Sequence, residues 1–233
     1  SLILENKKIL VLCPYPQGEA AGQRLKYEQY FSDWKKEGYQ ITISPFSDLS
    51  LWKYLYSPKN NFLKIIGTLK GYAIRIRDLF SLKKYDLVYI FMWVTPLGST
   101  LFERLVRALS IKLIYDFDDA VHLTKHVQNL TLLQRLVRLF RGKNKPNYLI
   151  KNADHVIVSS PFHVEYCKEK NKESSCTYIP CSLDASRFTP RKSRREDDTP
   201  VIGWTGTFSS KFYLDSLKKV FLELNKRCNF KLV

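Results

Sequence analysis

Hydrophobic residues follow two alternating patterns along the chain. Short runs rich in β-branched residues predict strands, and longer segments with an apolar residue every three or four positions predict helices. The predicted strands lie near Lys8–Cys13, Gln40–Ser44, Asp86–Phe91, Lys112–Tyr115, His155–Ser159 and Thr177–Ile179. The predicted helices lie near Ala21–Glu37, Asn60–Leu82, Leu97–Leu109, Leu130–Lys151 and Pro161–Lys170. This order predicts an α/β fold with a Rossmann-like, mostly parallel sheet flanked by helices.

The pattern changes after Pro190, where the segment "RKSRREDDTP" is charged and contains no large apolar residue, as is typical of a linker. Beyond it, "PVIGWTGTF" predicts a strand and a glycine turn, Lys211–Arg227 a helix, and "FKLV" a second strand. A lone βαβ unit cannot bury both faces of its sheet, so we expect a truncated second Rossmann-like unit. The predicted organisation is a first domain at 1–190, a linker at 191–199 and the start of a second domain at 200–233.

The composition is that of a globular protein with a sizeable core, since 45% of the 233 residues are hydrophobic and 14% are aromatic. No apolar run approaches the roughly 20 residues that span a bilayer. The first apolar run leads into Pro14 and Pro16 without a cleavage site, so it predicts a core strand and not a signal peptide. Five cysteines without a C-x-x-C pair predict neither a disulfide framework nor a zinc site, and indicate a reducing cytoplasm.

The chain is strongly basic, with 38 Lys and Arg against 22 Asp and Glu and a net charge of +16. Self-repulsion of this size predicts a polyanionic partner: an anionic membrane, a nucleic acid or a phosphorylated substrate. Nucleic acid is disfavoured because no RNA-recognition or helix-turn-helix signature is present, and the aromatic residues fall in predicted strands and helices.

The first predicted βα turn, "CPYPQGEAAGQRLKYEQYF", contains Gly18 and Gly22, followed by Gln23 and Arg24 at the helix entrance. Glycines let a ligand approach the backbone closely, and a helix N-terminus attracts phosphate or sugar oxygens. These four residues are therefore predicted to bind substrate. Their spacing is not that of the G-x-G-x-x-G dinucleotide motif, and an ordinary long βα loop gives the same pattern.

The stretch "IYDFDDAVH" places Asp116, Asp118 and Asp119 at the end of an apolar strand and finishes at His122. Carboxylates this close repel one another, so the cluster requires water, a cation, a basic neighbour or a reaction that uses it. One interpretation is the D-x-D of metal-dependent glycosyltransferases. Another is that Asp118 or Asp119 caps a following helix. His122 and His126 are spaced i, i+4, but two histidines alone do not predict a metal site.

A third interpretation is a magnesium-dependent phosphatase of the haloacid-dehalogenase type. Asp116 would be the nucleophile, Asp118 the acid and base, and Ser159 the phosphate ligand. Such enzymes also need a downstream lysine and a late pair of acidic residues that binds magnesium. The only late pair, Asp197–Asp198, falls in the predicted linker.

The segments "YIPCSLDASRFTP" and "VIGWTGTF" resemble the domain junction of GT-B glycosyltransferases of family 4. In that family a strand ends in Ile-Pro-Asn-Gly-Val-Asp and continues to Arg-Phe-x-Pro before a glycine-turn strand. The matching residues are Ile179, Pro180, Asp184, Arg187, Phe188 and Pro190. Cys181 and Ser182 replace the usual Asn-Gly. "LIKNADHVIVSSPF", "AAGQRLKYEQY" and "YDFDDA" resemble further segments of the family, so the resemblance covers nearly the whole chain.

The resemblance implies that 1–190 is an acceptor-side domain and 200–233 the start of a nucleotide-sugar-binding domain, with Gly206 and Thr207 on the donor side. It implies transfer from a nucleotide-sugar to a glycan or lipid-linked acceptor in polysaccharide assembly, with retention at the anomeric carbon and without a metal or other cofactor. The predicted catalytic residues are Asp116, Asp118 and Asp119, and His122 is predicted to bind substrate. The 233 residues alone are expected to be inactive, because GT-B chemistry needs both sides of the cleft.

Two segments, "KNNFLKIIGTLKGYAIRIRDLFSLKK" and "LTLLQRLVRLFRGKNK", combine apolar residues at helical spacing with many basic ones. Ordinarily such helices bury their apolar sides in the domain. However, each lysine or arginine near an anionic leaflet contributes about 1 kcal/mol to binding. We therefore predict a cytoplasmic protein that attaches peripherally to the inner face of the membrane. A basic membrane-binding module without catalysis is the non-enzymatic alternative.

Overall fold

The computed structural model describes residues 6–55, 57, 60–118, 144–189, 199–206 and 211–233. The chain divides into two compact units, Ser1–Asp184 and Ala185–Val233. The division falls before the predicted linker, of which residues 191–198 lie outside the described ranges. The assignment of the units to acceptor and donor domains stays a prediction.

The first unit is built on a six-stranded sheet in which every neighbouring pair is parallel. Its strands are β1 (Lys8–Cys13), β2 (Gln40–Pro45), β3 (Leu87–Phe91), β4 (Leu113–Phe117), β5 (His155–Val158) and β6 (Cys176–Tyr178). Their order across the sheet is β2-β1-β3-β4-β5-β6. The predicted α/β class with a Rossmann-like parallel sheet is confirmed. Because the strands are parallel, all their carboxyl ends lie at one edge, here called the carboxyl edge.

The described helices of this unit are α1 (Ala21–Lys26), α2 (Phe31–Lys36), α3 (Leu49–Leu55), α4 (Asn61–Leu79), α5 (Leu101–Leu109), α6 (Lys145–Asn152) and α7 (Phe162–Lys170). The single helix predicted at Ala21–Glu37 is instead two helices joined by a 3₁₀ turn, Glu28–Tyr30. The backbone leaves the α-helical region at Tyr27, whose ring packs against Phe31, Tyr89 and Phe91. α3 was not predicted, because a single residue of it, Leu51, is buried.

Apolar side chains cover both faces of the sheet. On one face, residues such as Leu12, Ile90 and Tyr115 pack against α5, α6 and α7. On the other, Val11 and Phe91 pack against the segment that contains α1 and α2. Burial on both faces explains why the strands read as continuous apolar runs and not as alternating ones.

A buried arginine on α4 joins the carboxyl ends of three segments. Arg75 is 1% exposed, and its guanidinium donates to the carbonyl oxygens of Cys13 at 2.9 Å, Ser44 at 3.0 Å and Val94 at 2.8 Å. It also forms an ion pair of 3.1 Å with Asp78. These bonds fix the position of α4 relative to β1, β2 and the loop after β3.

One side of α4 carries large apolar side chains that remain exposed. They recur at helical spacing and are 47% to 85% exposed: Phe62, Ile66, Leu69, Ile76 and, directly after the helix, Phe80. The helix packs inward through Gly71, where a Cβ atom would lie 2.6 Å from the Phe46 ring and 2.7 Å from the Phe46 carbonyl oxygen. An ordinary amphipathic helix buries its apolar side in the domain. α4, in contrast, leaves part of its apolar surface exposed.

The second unit contains one parallel strand pair and two helices. Its elements are β7 (Val201–Ile202), α8 (Lys211–Ser216), α9 (Lys218–Arg227) and β8 (Lys231–Leu232). Val201 pairs with Lys231 and Ile202 with Leu232, which gives the predicted strand-helix-strand order. Gly206 follows β7, and Thr207 lies outside the described residues. In neither unit does a described helix have the length and apolar character needed to cross a membrane.

Candidate functional site

The carboxyl edge of the sheet brings a buried lysine together with two of the predicted aspartates. Lys26, the last residue of α1, lies with its Nζ atom 3.2 Å from Asp116 Oδ1 and 3.8 Å from Asp118 Oδ1. The ammonium group donates to Ser159 Oγ at 2.6 Å and to the Ile179 carbonyl oxygen at 2.5 Å. These side chains of Lys26, Asp116, Asp118 and Ser159 are called the lysine–carboxylate cluster. A basic neighbour therefore compensates the repulsion between the two carboxylates.

Asp116 is the inner carboxylate of the cluster. β4 extends two residues beyond its predicted end, so that Asp116 lies within the strand and is only 1% exposed. Its second oxygen accepts a hydrogen bond from the Tyr89 hydroxyl. Burial raises the pKa of Asp116 to about 7, against the opposing effects of the Lys26 charge and the Tyr89 hydrogen bond. A ligand would reach Asp116 only if the cluster opened, and its predicted catalytic role stays a prediction.

Asp118 is the outer carboxylate, with a side chain that is 20% exposed. Its Oδ1 atom accepts hydrogen bonds from Ser159 Oγ at 2.5 Å and from Cys181 Sγ at 3.8 Å. Its Oδ2 atom faces Gly22, where an added Cβ would lie 3.2 Å away. One oxygen thus fixes the orientation of the carboxylate, and the other borders the turn that precedes α1. Such a carboxylate can accept a hydrogen bond from a ligand hydroxyl or take up its proton.

The predicted substrate-binding loop is held together by its own side chains. Gln23 is fully buried, and its amide bonds both the N–H and the carbonyl of Tyr15, at 3.0 and 2.9 Å, as well as Glu28 at 3.0 Å. Glu28 also accepts from the N–H of Gly18, which has a φ of +83°. Gln23 therefore shapes the loop. Arg24, the next residue on α1, is exposed.

The segment that departs from the family's Asn-Gly pattern is tied to α1 and to the turn after it. The Ser182 N–H donates to the Leu25 carbonyl at 3.0 Å, and the Ser182 hydroxyl lies 3.0 Å from Gln29 Nε2 and 2.5 Å from Tyr30 Oη. The family has a glycine at the position of Ser182. The Ser182 hydroxyl, which a glycine lacks, therefore helps to attach this segment beside the lysine–carboxylate cluster.

Sequence reasoning missed Lys26, Tyr89 and Ser182. A signal for Lys26 was present, because Gln23, Lys26, Tyr27 and Tyr30 follow the i, i+3, i+4, i+7 spacing of one helical face. The predicted residues Asp119 and His122, and also His126, lie outside the described residues. Within the described part of the chain, no three His, Cys, Asp or Glu side chains are grouped as metal ligands would be.

A mostly apolar pocket of about 400 Å³ lies between α4, α5 and the loop after β3. It is lined by Tyr72, Leu97, Gly98, Ser99, Leu101 and Phe102. None of the lysine–carboxylate cluster residues contributes to this pocket.

Comparisons with known proteins do not assign the chain to a family. No protein-family model matches it, and no curated protein matches it. Among solved structures it is similar to UGT89C1 of Arabidopsis thaliana, determined in complex with UDP-L-rhamnose. The two share 12% sequence identity and a TM-score of 0.45 over 92% of this chain and 63% of the other. The chain thus spans less than two thirds of the length of that structure.

Proposed function

We propose that residues 1–190 form the acceptor-side domain of a retaining glycosyltransferase and that 200–233 begin its donor domain. The observation that carries the proposal is the position of Asp118, a partly exposed carboxylate oriented by Ser159 at the carboxyl edge of a parallel sheet. Ligands of open α/β sheets bind at this edge. The ordered set of sequence segments that resemble GT-B enzymes of family 4 supports the same assignment.

In this proposal the acceptor hydroxyl donates its hydrogen bond to Asp118. The acceptor oxygen forms a bond to the anomeric carbon of a nucleotide-sugar on the face from which the diphosphate leaves, so that the configuration is retained. The bond from that carbon to the diphosphate breaks, and the hydroxyl proton passes to the Asp118 carboxylate. The sugar carries oxocarbenium-like charge in the transition state, and no metal or other cofactor takes part. Lys26 and Asp116 position Asp118, and Arg24 offers an exposed cation to phosphate oxygens. The roles predicted from the sequence for Gly206 and Thr207 in donor binding, for Asp119 in catalysis and for His122 in substrate binding remain part of the proposal, although Thr207, Asp119 and His122 lie outside the described residues.

Asp118→Asn is expected to lower transfer at least about tenfold, a barrier increase of roughly 1.4 kcal/mol, because the amide cannot accept the hydroxyl proton. The measurement is transfer of labelled sugar from a panel of nucleotide-sugars to a membrane extract, by a protein that carries both domains. The 233 residues alone are expected to give no transfer.

The control for this prediction is Asp33→Asn, the same change at an exposed carboxylate on α2. It should leave both transfer and thermal stability unchanged. Equal transfer by Asp118→Asn and Asp33→Asn would rule out a chemical role for Asp118. An early-melting Asp118→Asn protein whose folded fraction stays fully active would make the carboxylate structural.

The phosphatase alternative is an outcome of the same experiment. The buried environment of Asp116 argues against it, because a nucleophile that is 1% exposed and bonded to Tyr89 cannot reach a phosphoester without opening the cluster. Magnesium-dependent release of phosphate from a generic phosphoester, lost in Asp116→Asn, would favour the phosphatase.

The exposed apolar side of α4 supports peripheral attachment to the inner face of a membrane, as a further part of the proposed function. Basic side chains accompany it, since Lys70 and Arg77 on the helix and Lys83 and Lys84 just beyond it are exposed. An apolar stripe with basic neighbours fits the boundary between anionic headgroups and acyl chains. The second basic segment falls mostly at 130–143, outside the described residues, so the proposal rests on α4.

Vesicles with anionic lipid are expected to co-sediment the protein at low salt, and neutral vesicles are expected to co-sediment much less. Replacing Leu69 and Ile76 together by glutamine should lower anionic binding about tenfold or more, because two anchoring side chains are lost. The control is Leu222→Gln on α9, which is also exposed. Equal binding to both vesicle types, or the same loss in Leu222→Gln, would contradict attachment through α4.

A further inference from the structure

Three large aromatic side chains gather at the carboxyl edge of the sheet. Tyr15 follows β1, Trp52 lies on α3 after β2, and Trp93 follows β3. The ring of Tyr15 lies 4.8 Å from that of Trp52 and 6.4 Å from that of Trp93, measured between centroids. All three side chains are half-buried, and the buried ring of Phe46 lies 5.4 Å from that of Trp93, measured between centroids. These three residues are called the aromatic platform.

The backbone that places Trp93 is strained. Met92 has a φ of +63°, in the left-handed region, and the N–H of Trp93 donates to the Phe91 carbonyl at 2.8 Å across it. A tight turn of this kind is uncommon for a residue with a side chain and costs energy. Two bonds hold it, from the Met92 N–H to the Asp116 carbonyl at 2.8 Å and from the Tyr115 hydroxyl to the Met92 carbonyl at 2.9 Å. Strain of this kind concentrates at ligand-binding sites, where surrounding contacts enforce it.

The same backbone contacts join the segment that carries Trp93 to the segment that carries Asp118. The hydrogen bond between Met92 and Asp116 joins β3 to β4. Trp93 is the next residue after Met92, and Asp118 is two residues after Asp116, so both follow neighbouring strands close to this bond. On the other side, the backbone of Tyr15 is fixed by Gln23, the neighbour of Gly22 that faces Asp118 Oδ2. The backbone segments of Trp93 and of Tyr15 are therefore both joined to the surroundings of Asp118.

We propose that the aromatic platform contacts a saccharide ring of the acceptor through the face of one of its mutually tilted rings, in an orientation that presents a sugar hydroxyl to Asp118. This deepens the proposed glycosyltransferase function and rests on it for the role of Asp118. A sugar ring has an apolar C–H face whose partial positive charge matches the negative π-face of an indole or phenol. Tyr and Trp also offer rigid contact area at a low cost in conformational entropy.

The carboxylate of Asp118 favours a saccharide over a purely apolar ligand. Asp118 follows the strand next to the one that Trp93 follows, and a carboxylate covered by hydrocarbon would lose its hydration without gaining a partner. A sugar supplies hydroxyl donors at the edge of the same ring whose face is stacked. Binding sites of this kind combine an apolar floor with a few directed polar groups.

The test is a printed glycan array probed with the labelled full 233-residue chain. The wild type is expected to bind a group of glycans that share a terminal sugar. Trp93→Ala should lower that signal at least tenfold, and Trp93→Phe should keep it within about threefold, because a phenyl ring still stacks. Trp204→Ala makes the same change in the Ala185–Val233 unit and should leave the signal unchanged.

Trp52→Ala gives a second measurement on α3 in case Trp93→Ala melts early, and it should also lose binding at least tenfold. Absence of glycan binding by the wild type, or full binding by folded Trp93→Ala and Trp52→Ala, would overturn the platform. The array requires no turnover, so the two proposals can fail separately. Glycan binding that depends on Trp93 in a two-domain protein without transfer would reject the glycosyltransferase and keep the platform.

Discussion

Lys26→Met is expected to lower the free energy of unfolding by about 3–5 kcal/mol at pH 8. The change removes the cation that compensates Asp116, which is 1% exposed, and also leaves Ser159 and the Ile179 carbonyl without their donor. Removing one partner of a buried ion pair costs this much because the remaining charge is left uncompensated. Urea denaturation followed by circular dichroism measures the effect.

The loss should be smaller at pH 5, because Asp116 can then take up a proton and become neutral. In the wild type, burial raises the pKa of Asp116 to about 7, whereas an unfolded aspartate titrates near 4. The folded state therefore holds more protons between about pH 4 and pH 7. Stability from this group is fully present below pH 4 and is lost as the pH rises through 7. Asp116→Asn should remove that part of the pH dependence.

Lys36→Met is the matched control, since Lys36 pairs with Asp33 on the surface of α2 with a side chain that is 75% exposed. Exposed pairs of this kind contribute at most about 1 kcal/mol. A loss in Lys26→Met that is as small as that in Lys36→Met, or that is equal at pH 5 and pH 8, would contradict the description of the cluster as a buried ion pair.

Arg75→Met is expected to destabilise the protein by a similar amount, about 3–5 kcal/mol. The substitution leaves the Cys13, Ser44 and Val94 carbonyls without their guanidinium donor and removes the buried partner of Asp78. Arg75→Lys should recover only part of the loss, because an ammonium group cannot reproduce the planar fork that reaches three segments. Thermal and urea unfolding measure both variants.

The comparison for Arg75 is its neighbour Arg77, which pairs with the other oxygen of Asp78 but has a side chain that is 74% exposed. Arg77→Met should cost at most about 1 kcal/mol. Similar losses in Arg75→Met and Arg77→Met would mean that the buried bonds to the strand ends contribute little.

The sheet was predictable because strands buried on both faces read as short, continuous apolar runs, and all six predicted strands are present. α3 could not be predicted in the same way, since burial of Leu51 alone leaves no helical period in the sequence. The break after α1 was not predicted, because it accompanies the packing of the Tyr27 ring against Phe31, Tyr89 and Phe91. Two of these residues are distant in sequence, so a local pattern does not show the contact.

The acidic cluster was visible in the sequence, but the difference between its members was not. Asp116 and Asp118 are two residues apart and are the same type of residue. In the structure, however, Asp116 is buried against Tyr89, whereas Asp118 is partly exposed beside Gly22. Their cation comes from Lys26, about 90 residues earlier in the chain. A local sequence pattern does not show which side chain of α1 contacts β4, because the two elements are distant in sequence.

The hydrogen bonds of Lys26 also set the order in which the cluster can be completed during synthesis. Ser159 and Ile179 lie 133 and 153 residues after Lys26, and Ser182 lies 153 residues after Gln29. On a ribosome the Ile179 carbonyl is therefore the last of these partners of the Lys26 ammonium to be synthesised. A nascent chain that ends before Thr177 contains five of the six strands but lacks the carbonyl that completes the lysine's coordination. The cluster is thus completed only when the last strand is added. In a chain stalled before that point, Asp116 and Asp118 are present but Lys26 lacks its hydrogen bond to the Ile179 carbonyl.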